Sequence, residues 1–269
     1  MHSDRHTLFQ KLWEHYLTVT PSAKDIHRLL GGTQGQAIVN DHIALRTFNL
    51  DPVRLDRLAE HFRVLGYQRG GEYHFDAKKL YARHYEHPDP TAPKVFISEL
   101  LVDQCSPTLQ AIVGDLVAQV DPAAVDADDF LYSGAHWSID EATYRTLLEE
   151  SEYAAWMAAW GWRPNHFTVS VNALEQYTTL ASVNEALKDA GYRLNDSGGE
   201  IKGSPEVLLE QSSTLADEAD VRFRDRTARI PSCFYEFAKR YPDKDGKLYG
   251  GFVPASADKI FESTHAAGR

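Results

Sequence analysis

The sequence predicts an α+β fold, with two βαβββ modules side by side forming a curved mixed sheet around a cavity, plus extra helices. Three observations carry that expectation. Two segments open alike, Asn40-Asp41-His42-Ile43-Ala44-Leu45-Arg46-Thr47-Phe48 and Pro164-Asn165-His166-Phe167-Thr168-Val169-Ser170-Val171-Asn172, each with histidine third. Each opening leads into a helix-like stretch that closes on Gly-Tyr, at Gly66-Tyr67 and Gly191-Tyr192. Each copy then ends in an apolar segment holding a glutamate, Glu99 in Val95-Phe96-Ile97-Ser98-Glu99-Leu100 and Glu236 in Cys233-Phe234-Tyr235-Glu236-Phe237. The organisation expected is one internally repeated domain over 1–269, with modules at about 38–101 and 164–240 and a helical connector at 107–160 between them.

The elements follow in order. Leu8, Leu12 and Tyr16 recur at helical spacing, and a second helix over about 23–30 ends at Gly31-Gly32. The first module starts with a strand over 38–48. Its helix spans about 52–65, with Pro52 suited to a first turn and Gly66 to a C-terminal cap. Strands are expected near 68–73, 80–86 and 95–101. In the connector, Ser138-Ile139-Asp140-Glu141 has the spacing of a capping box. The second module reads as a strand at 166–171, a helix at 174–190, and strands near 193–194, 207–211 and 232–239. The tail is expected to fray at 265–269.

Composition narrows the function classes. With 43% hydrophobic and 25% charged residues, a chain of 269 residues can bury a sizeable core. A net charge of −11 argues against nucleic acid or an anionic membrane surface as partner, because phosphate binding needs a basic surface. It leaves room for a small anionic substrate held by one buried arginine. No apolar run reaches membrane-spanning length, and the first residues lack the apolar core of a signal peptide. Cys105 and Cys233 are the only cysteines, so neither a disulfide framework nor a cysteine-rich zinc site is expected. A cytoplasmic location follows.

Strand alternation concentrates the chemistry. Residues two apart share a face, so His42, Ala44 and Arg46 point one way, His166 goes with Thr168 and Ser170, and Glu236 goes with Phe234 and Ala238. Two histidines and one carboxylate with open positions is a donor set used by non-haem Fe(II) oxygenases. The blander readings are a satisfied core histidine at either position and an ion pair from Glu236 to Arg240 or Arg226. Glu99 reads as a fourth ligand, an ion-pair partner or a cavity-lining group. Arg46 either captures a carboxylate or pairs with a nearby aspartate. Gln211, Ser212 and Thr214 are expected along the cavity, with turn-capping hydroxyls as the alternative. His74, His84 and His87 read as solvated strand ends, and Trp156, Trp160 and Trp162 as a packed helix end. No phosphate loop, serine-nucleophile motif or His-Glu-x-x-His helix is present.

His42-Ile43-Ala44-Leu45-Arg46-Thr47, Asn165-His166, Lys202-Gly203-Ser204, Leu209-Glu210-Gln211-Ser212-Ser213 and Phe234-Tyr235-Glu236-Phe237, in this order, resemble the 2-oxoadipate dioxygenase/decarboxylase (hydroxyglutarate synthase) family. The resemblance implies a vicinal-oxygen-chelate-like fold, Fe(II) held by His42, His166 and Glu236, and a substrate carboxylate gripped by Arg46. The implied reaction takes a 2-oxo diacid such as 2-oxoadipate with O2 to 2-hydroxyglutarate and CO2, with no separate oxo-acid cosubstrate. Two alternatives stand beside it. One is a glyoxalase-type lyase or isomerase using another divalent metal, and the other is a non-catalytic small-molecule-binding module.

Overall fold

Among the described residues, alternating apolar runs form ten strands, and eight of them hydrogen-bond into one sheet. The computed structural model describes residues 1–32 and 38–264; the expected fraying at 265–269 lies outside the described residues. Two helices come first, α1 (Arg5–Leu17) and α2 (Pro21–His27). Then follow β1 (Asn40–Phe48), α3 (Leu55–Arg63), β2 (Gln68–Phe75), β3 (Leu80–Glu86) and β4 (Lys94–Leu100). The connector is three helices, α4 (Pro107–Val117), α5 (Glu141–Glu150) and α6 (Glu152–Trp160). The second half comprises β5 (Pro164–Ser170), α7 (Leu180–Asp189), β6 (Lys202–Ser204), β7 (Leu209–Ser213), the hairpin β8 (Glu218–Arg222) and β9 (Thr227–Pro231), β10 (Phe234–Arg240) and α8 (Pro254–Ile260).

The sheet order is β2-β3-β4-β1-β5-β10-β7-β6. Read outward from the centre, both halves run in the same sense: β1 beside a parallel β4, β5 beside a parallel β10, then antiparallel neighbours to each edge. The halves join through antiparallel β1 and β5, where His42 faces Thr168 and His166 faces Ala44. Those two pairs exchange under a local two-fold. The histidines are therefore diagonal neighbours on one face, a separation that long side chains bridge easily.

The outer face of the sheet carries the main apolar core. Phe167 and Tyr235 pack against Trp13 and Tyr16 of α1, and the Tyr16 hydroxyl donates to the Phe234 carbonyl at 2.5 Å. Each such buried aromatic contributes roughly 1.5–3 kcal/mol relative to exposure. On the inner face, α8 packs on β2 at one edge and on β6 and β7 at the other, so it spans the mouth of the curved sheet.

Several local expectations shift. The helix expected over 174–190 starts at Leu180 because Thr179 and Ser182 form a capping box there. The box read at Ser138 is displaced: Asp140 caps α5, its carboxylate accepting from the Thr143 amide at 2.8 Å, since a charged cap nearer the apolar run wins. The strand read at 193–194 is a single bridge from Leu194 to Thr214, and its place at the sheet edge is taken by β6. Gly203 there has φ +80°, and a Cβ would fall 2.1 Å from the Leu209 carbonyl oxygen, so only glycine permits this close pairing. The β8–β9 hairpin and α8 were not anticipated.

Candidate metal centre

Three adjacent strands supply the site. His42 of β1, His166 of β5 and Glu236 of β10 are all buried, and one donor atom from each lies within 4.8 Å of the others. His166 Nε2 is 3.0 Å from Glu236 Oε2, and His42 Nε2 is 3.5 Å from Glu236 Oε1. The first contact lacks hydrogen-bond alignment, which leaves Glu236 Oε2 without a partner among the described residues. Parity explains the convergence: Thr168 sits opposite both His42 and Glu236, and His166 opposite both Ala44 and Phe234, so the three side chains rise from one face.

The residue before each histidine holds its ring. Asp41 Oδ1 lies 2.8 Å from His42 Nδ1, and Asn165 Oδ1 lies 3.1 Å from His166 Nδ1. Both acceptors favour the tautomer with hydrogen on Nδ1, turning each Nε2 lone pair toward Glu236. Two lone pairs and a carboxylate oxygen meeting in a buried space repel unless a cation or proton lies between them. A divalent metal fits this donor set, and among the described residues no other group of histidine, cysteine or carboxylate side chains could hold one. Gln211 Nε2 donates to Glu236 Oε1 at 2.7 Å, fixing the carboxylate plane.

The three groups act strongly on one another's protonation. Burial would raise the Glu236 carboxyl, yet the two imidazoles outweigh it and hold the group well below the usual carboxylate range. Burial would lower His42, but the Glu236 and Asp41 carboxylates carry it upward. For His166 burial prevails over Glu236 and the ring is shifted down, in keeping with a neutral ligand.

Phe96, Phe252, Ile260 and Phe261 wall a cavity of about 20 Å³ above the triad. That is room for about one water. Arg46 shares the inner face but does not line this cavity. Its guanidinium carbon sits 4.9 Å from the Tyr153 ring centre, 5.0 Å from Trp156 and 5.8 Å from Phe261, a wall it shares with the cavity above the triad. Arg46 Nη2 donates to Thr264 Oγ1 at 3.2 Å, Nη1 reaches Glu152 only at 3.5 Å, and Nε has no partner among the described residues.

Two expected cavity residues lie elsewhere. Ser212 projects from the outer face of β7, and its hydroxyl donates to Asn184 Oδ1 of α7 at 2.7 Å; the alternation that brings Gln211 inward turns Ser212 away. Thr214 accepts from the Tyr235 amide at 3.1 Å, a backbone-holding role. Glu99 is also on the outer face, where its carboxylate accepts from the Leu55 amide at 2.8 Å and caps α3. The strand registers set Phe96, not Glu99, at the position matching Glu236. His84 is buried rather than solvated, bonded to the Tyr73 hydroxyl at 2.7 Å and Glu86 at 2.9 Å. Sequence reasoning missed Asp41, Phe252 and Phe261. It considered Arg240 as a partner of Glu236, but Arg240 pairs with Asp41. The signal for Asp41 was present, as a polar acceptor precedes the histidine in both copies.

The chain matches the family model described as 2-oxoadipate dioxygenase/decarboxylase over residues 3–247. The 2-oxoadipate dioxygenase/decarboxylase of Oryza sativa subsp. japonica, chloroplastic/amyloplastic, is 36% identical over 96% of this chain and 78% of its own length. A crystal structure of the Oryza sativa hydroxyglutarate synthase in complex with 2-oxoadipate superposes with TM-score 0.90 at 35% identity, covering 97% of this chain and 91% of that one. A protein from Shewanella frigidimarina NCIMB 400, provisionally described as a hydrolase, is 60% identical with TM-score 0.90 over 95% of this chain and all of its own. A glyoxalase-superfamily protein from Ralstonia eutropha JMP134, at 24% identity and TM-score 0.73, shares the fold. With the family model spanning most of its length, the chain belongs to the 2-oxoadipate dioxygenase/decarboxylase family.

Proposed function

We propose that His42, His166 and Glu236 hold Fe(II), and that the chain converts a 2-oxo diacid, 2-oxoadipate foremost, with O2 to 2-hydroxyglutarate and CO2. The observation that carries this reading is the convergence of two imidazole nitrogens and one carboxylate, from three adjacent strands, onto one buried point. The activity named for the rice relative, and the 2-oxoadipate in the rice structure, support the same substrate class. Three protein donors would leave a bound ion room for exogenous ligands. Bound Fe(II) supplies the redox chemistry that this chain's side chains lack.

The protein's own residues do the rest. Gln211 keeps Glu236 oriented, and Phe96, Phe252 and Phe261 exclude bulk water. Arg46 is a buried fork whose Nε has no partner among the described residues, and a substrate carboxylate would replace the weak contacts to Thr264 and Glu152 with a bidentate pair. Since the cavity holds about one water, occupancy by a diacid displaces Phe261 or Ile260 from over the triad. No helix among the described residues is long and apolar enough to cross a membrane; the reading is of a cytoplasmic enzyme acting on a small molecule.

Anaerobically iron-loaded protein given 2-oxoadipate and O2 should consume O2 and release CO2 and 2-hydroxyglutarate in equal amounts. Turnover of a substrate without O2 uptake would instead favour the glyoxalase-type chemistry and overturn the oxygenase reading.

A further inference from the structure

Asp41, immediately before His42, uses both carboxylate oxygens. Oδ1 meets His42 Nδ1 at 2.8 Å and accepts from Arg240 Nη2 at 2.9 Å, while Oδ2 accepts from Arg240 Nε at 2.7 Å. Arg240 is itself buried, and its remaining nitrogen, Nη1, donates to the carbonyls of Tyr249 at 2.8 Å and Gly251 at 2.7 Å. Those carbonyls belong to the strap that delivers Phe252. The Phe252 ring centre lies 5.2 Å from the Arg240 guanidinium carbon and 4.8 Å from the His42 ring, edge to face. The Phe252 amide donates to the Tyr73 hydroxyl at 3.1 Å, which ties the strap to the far edge of the sheet.

We propose that Asp41 and Arg240 are positioning residues for the metal centre: the pair fixes His42 with Nε2 toward the metal, and the same guanidinium seats the Phe252 strap over that ligand. The inference rests on His42 being a metal ligand. An imidazole can rotate and offer either nitrogen; a carboxylate at Nδ1 removes that freedom and makes the ring a stronger donor. A buried carboxylate without a partner would be costly, and the bidentate guanidinium supplies the partner. Lysine cannot span two carboxylate oxygens and two backbone carbonyls at once. The arrangement is one-sided, because His166 has only the neutral amide of Asn165 at the equivalent position. Ligand orientation and the roof of the pocket are thus set by one side chain.

Titration of metal-free protein with Co(II), read by visible absorption, tests the metal half, and amide hydrogen exchange over residues 249–252 tests the roof. Asp41→Asn, which retains an acceptor at Oδ1, should weaken Co(II) binding about 10–100-fold and move the absorption bands. Arg240→Lys should weaken Co(II) in the same direction and also speed exchange in the strap. Wild type that binds no Co(II) would remove the underlying metal assignment. Wild type that binds it, with Asp41→Asn equally tight and spectrally unchanged, would overturn the positioning proposal alone. Unchanged strap exchange in Arg240→Lys would overturn the link to Phe252.

Discussion

Arg46→Lys separates a substrate-binding arginine from a structural one. Among the described residues the guanidinium has a 3.2 Å bond to Thr264 and a 3.5 Å approach to Glu152, whose side chain is 18% exposed. Its surroundings are aromatic rings, and lysine keeps a positive charge among them. Little folding stability therefore hangs on the planar fork itself. A bound carboxylate, by contrast, would use two parallel N–H donors, of which lysine replaces one. Losing a charge-assisted hydrogen bond costs about 1.5–3 kcal/mol, and at about 1.36 kcal/mol per decade kcat/KM should fall about ten- to a hundredfold. Arg46→Met sharpens the contrast. It removes an underpaired buried charge, and Glu152 retains access to solvent, so Tm should hold or rise while activity collapses. The assay is steady-state O2 uptake with 2-oxoadipate on iron-loaded wild type and both variants, alongside thermal melts of the substrate-free proteins. Equal kinetics in Arg46→Lys, or a large drop in Tm with Arg46→Met, would refute the reasoning and make the arginine a structural element.

Glu236→Gln keeps the volume and the bond with Gln211 but removes the anionic donor, so metal content after dialysis should fall sharply; retention of wild-type metal would exclude Glu236 as a ligand. Ser212→Ala breaks the bond to Asn184 and should cost about 1 kcal/mol of stability with unchanged kcat/KM, as denaturant unfolding and O2 uptake would read; an activity loss at full stability would return Ser212 to the pocket. Lys202 is pushed down to about 8 by burial, so the unfolded chain binds the extra proton between that value and the ordinary lysine range. Its contribution to stability should therefore rise as pH increases from about 8 toward 10, and the stability difference between Lys202→Met and wild type should change in the mutant's disfavour over that window; a pH-independent difference would contradict the shift.

What the sequence made legible was whatever depends on local periodicity. That His42, His166 and Glu236 rise from one face could be read because strand alternation is a property of two or three neighbouring residues. Glu99 failed for the same reason turned round: the apparent repeat aligned two glutamates without the strand register, and the register puts Glu99 on the helix-covered face. Gln211 and Ser212 were grouped as neighbours, although neighbours on a strand face opposite ways. The β8–β9 hairpin follows an alternating pattern, Glu218-Ala219-Asp220-Val221-Arg222 and Thr227-Ala228-Arg229-Ile230-Pro231, and was readable in principle. Phe252, Phe261 and α8 were not, because a short helix closing the mouth of a sheet is determined by tertiary contacts between chain ends far apart in sequence. Arg46 stands between these cases. Its face was legible, but its seat among Tyr153, Trp156 and Phe261 was not.

The diagonal register of His42 and His166 carries a consequence for how the centre is approached. Two fully equivalent halves would offer two carboxylates as well as two imidazoles, and a metal so enclosed would have few exchangeable positions. Phe96 stands where the first half would supply the second carboxylate. One side of the buried triad thus presents anionic and nitrogen donors, and the other is a hydrocarbon wall that would compete for no coordination position. Arg46 lies on the strand of that same half, while its counterpart in the second half is Ser170. The broken symmetry therefore gives the site a polarity: the second half contributes the Glu236 anion, and the first half sets the Phe96 ring in its place with the Arg46 cation beyond it, an arrangement suited to a negatively charged guest.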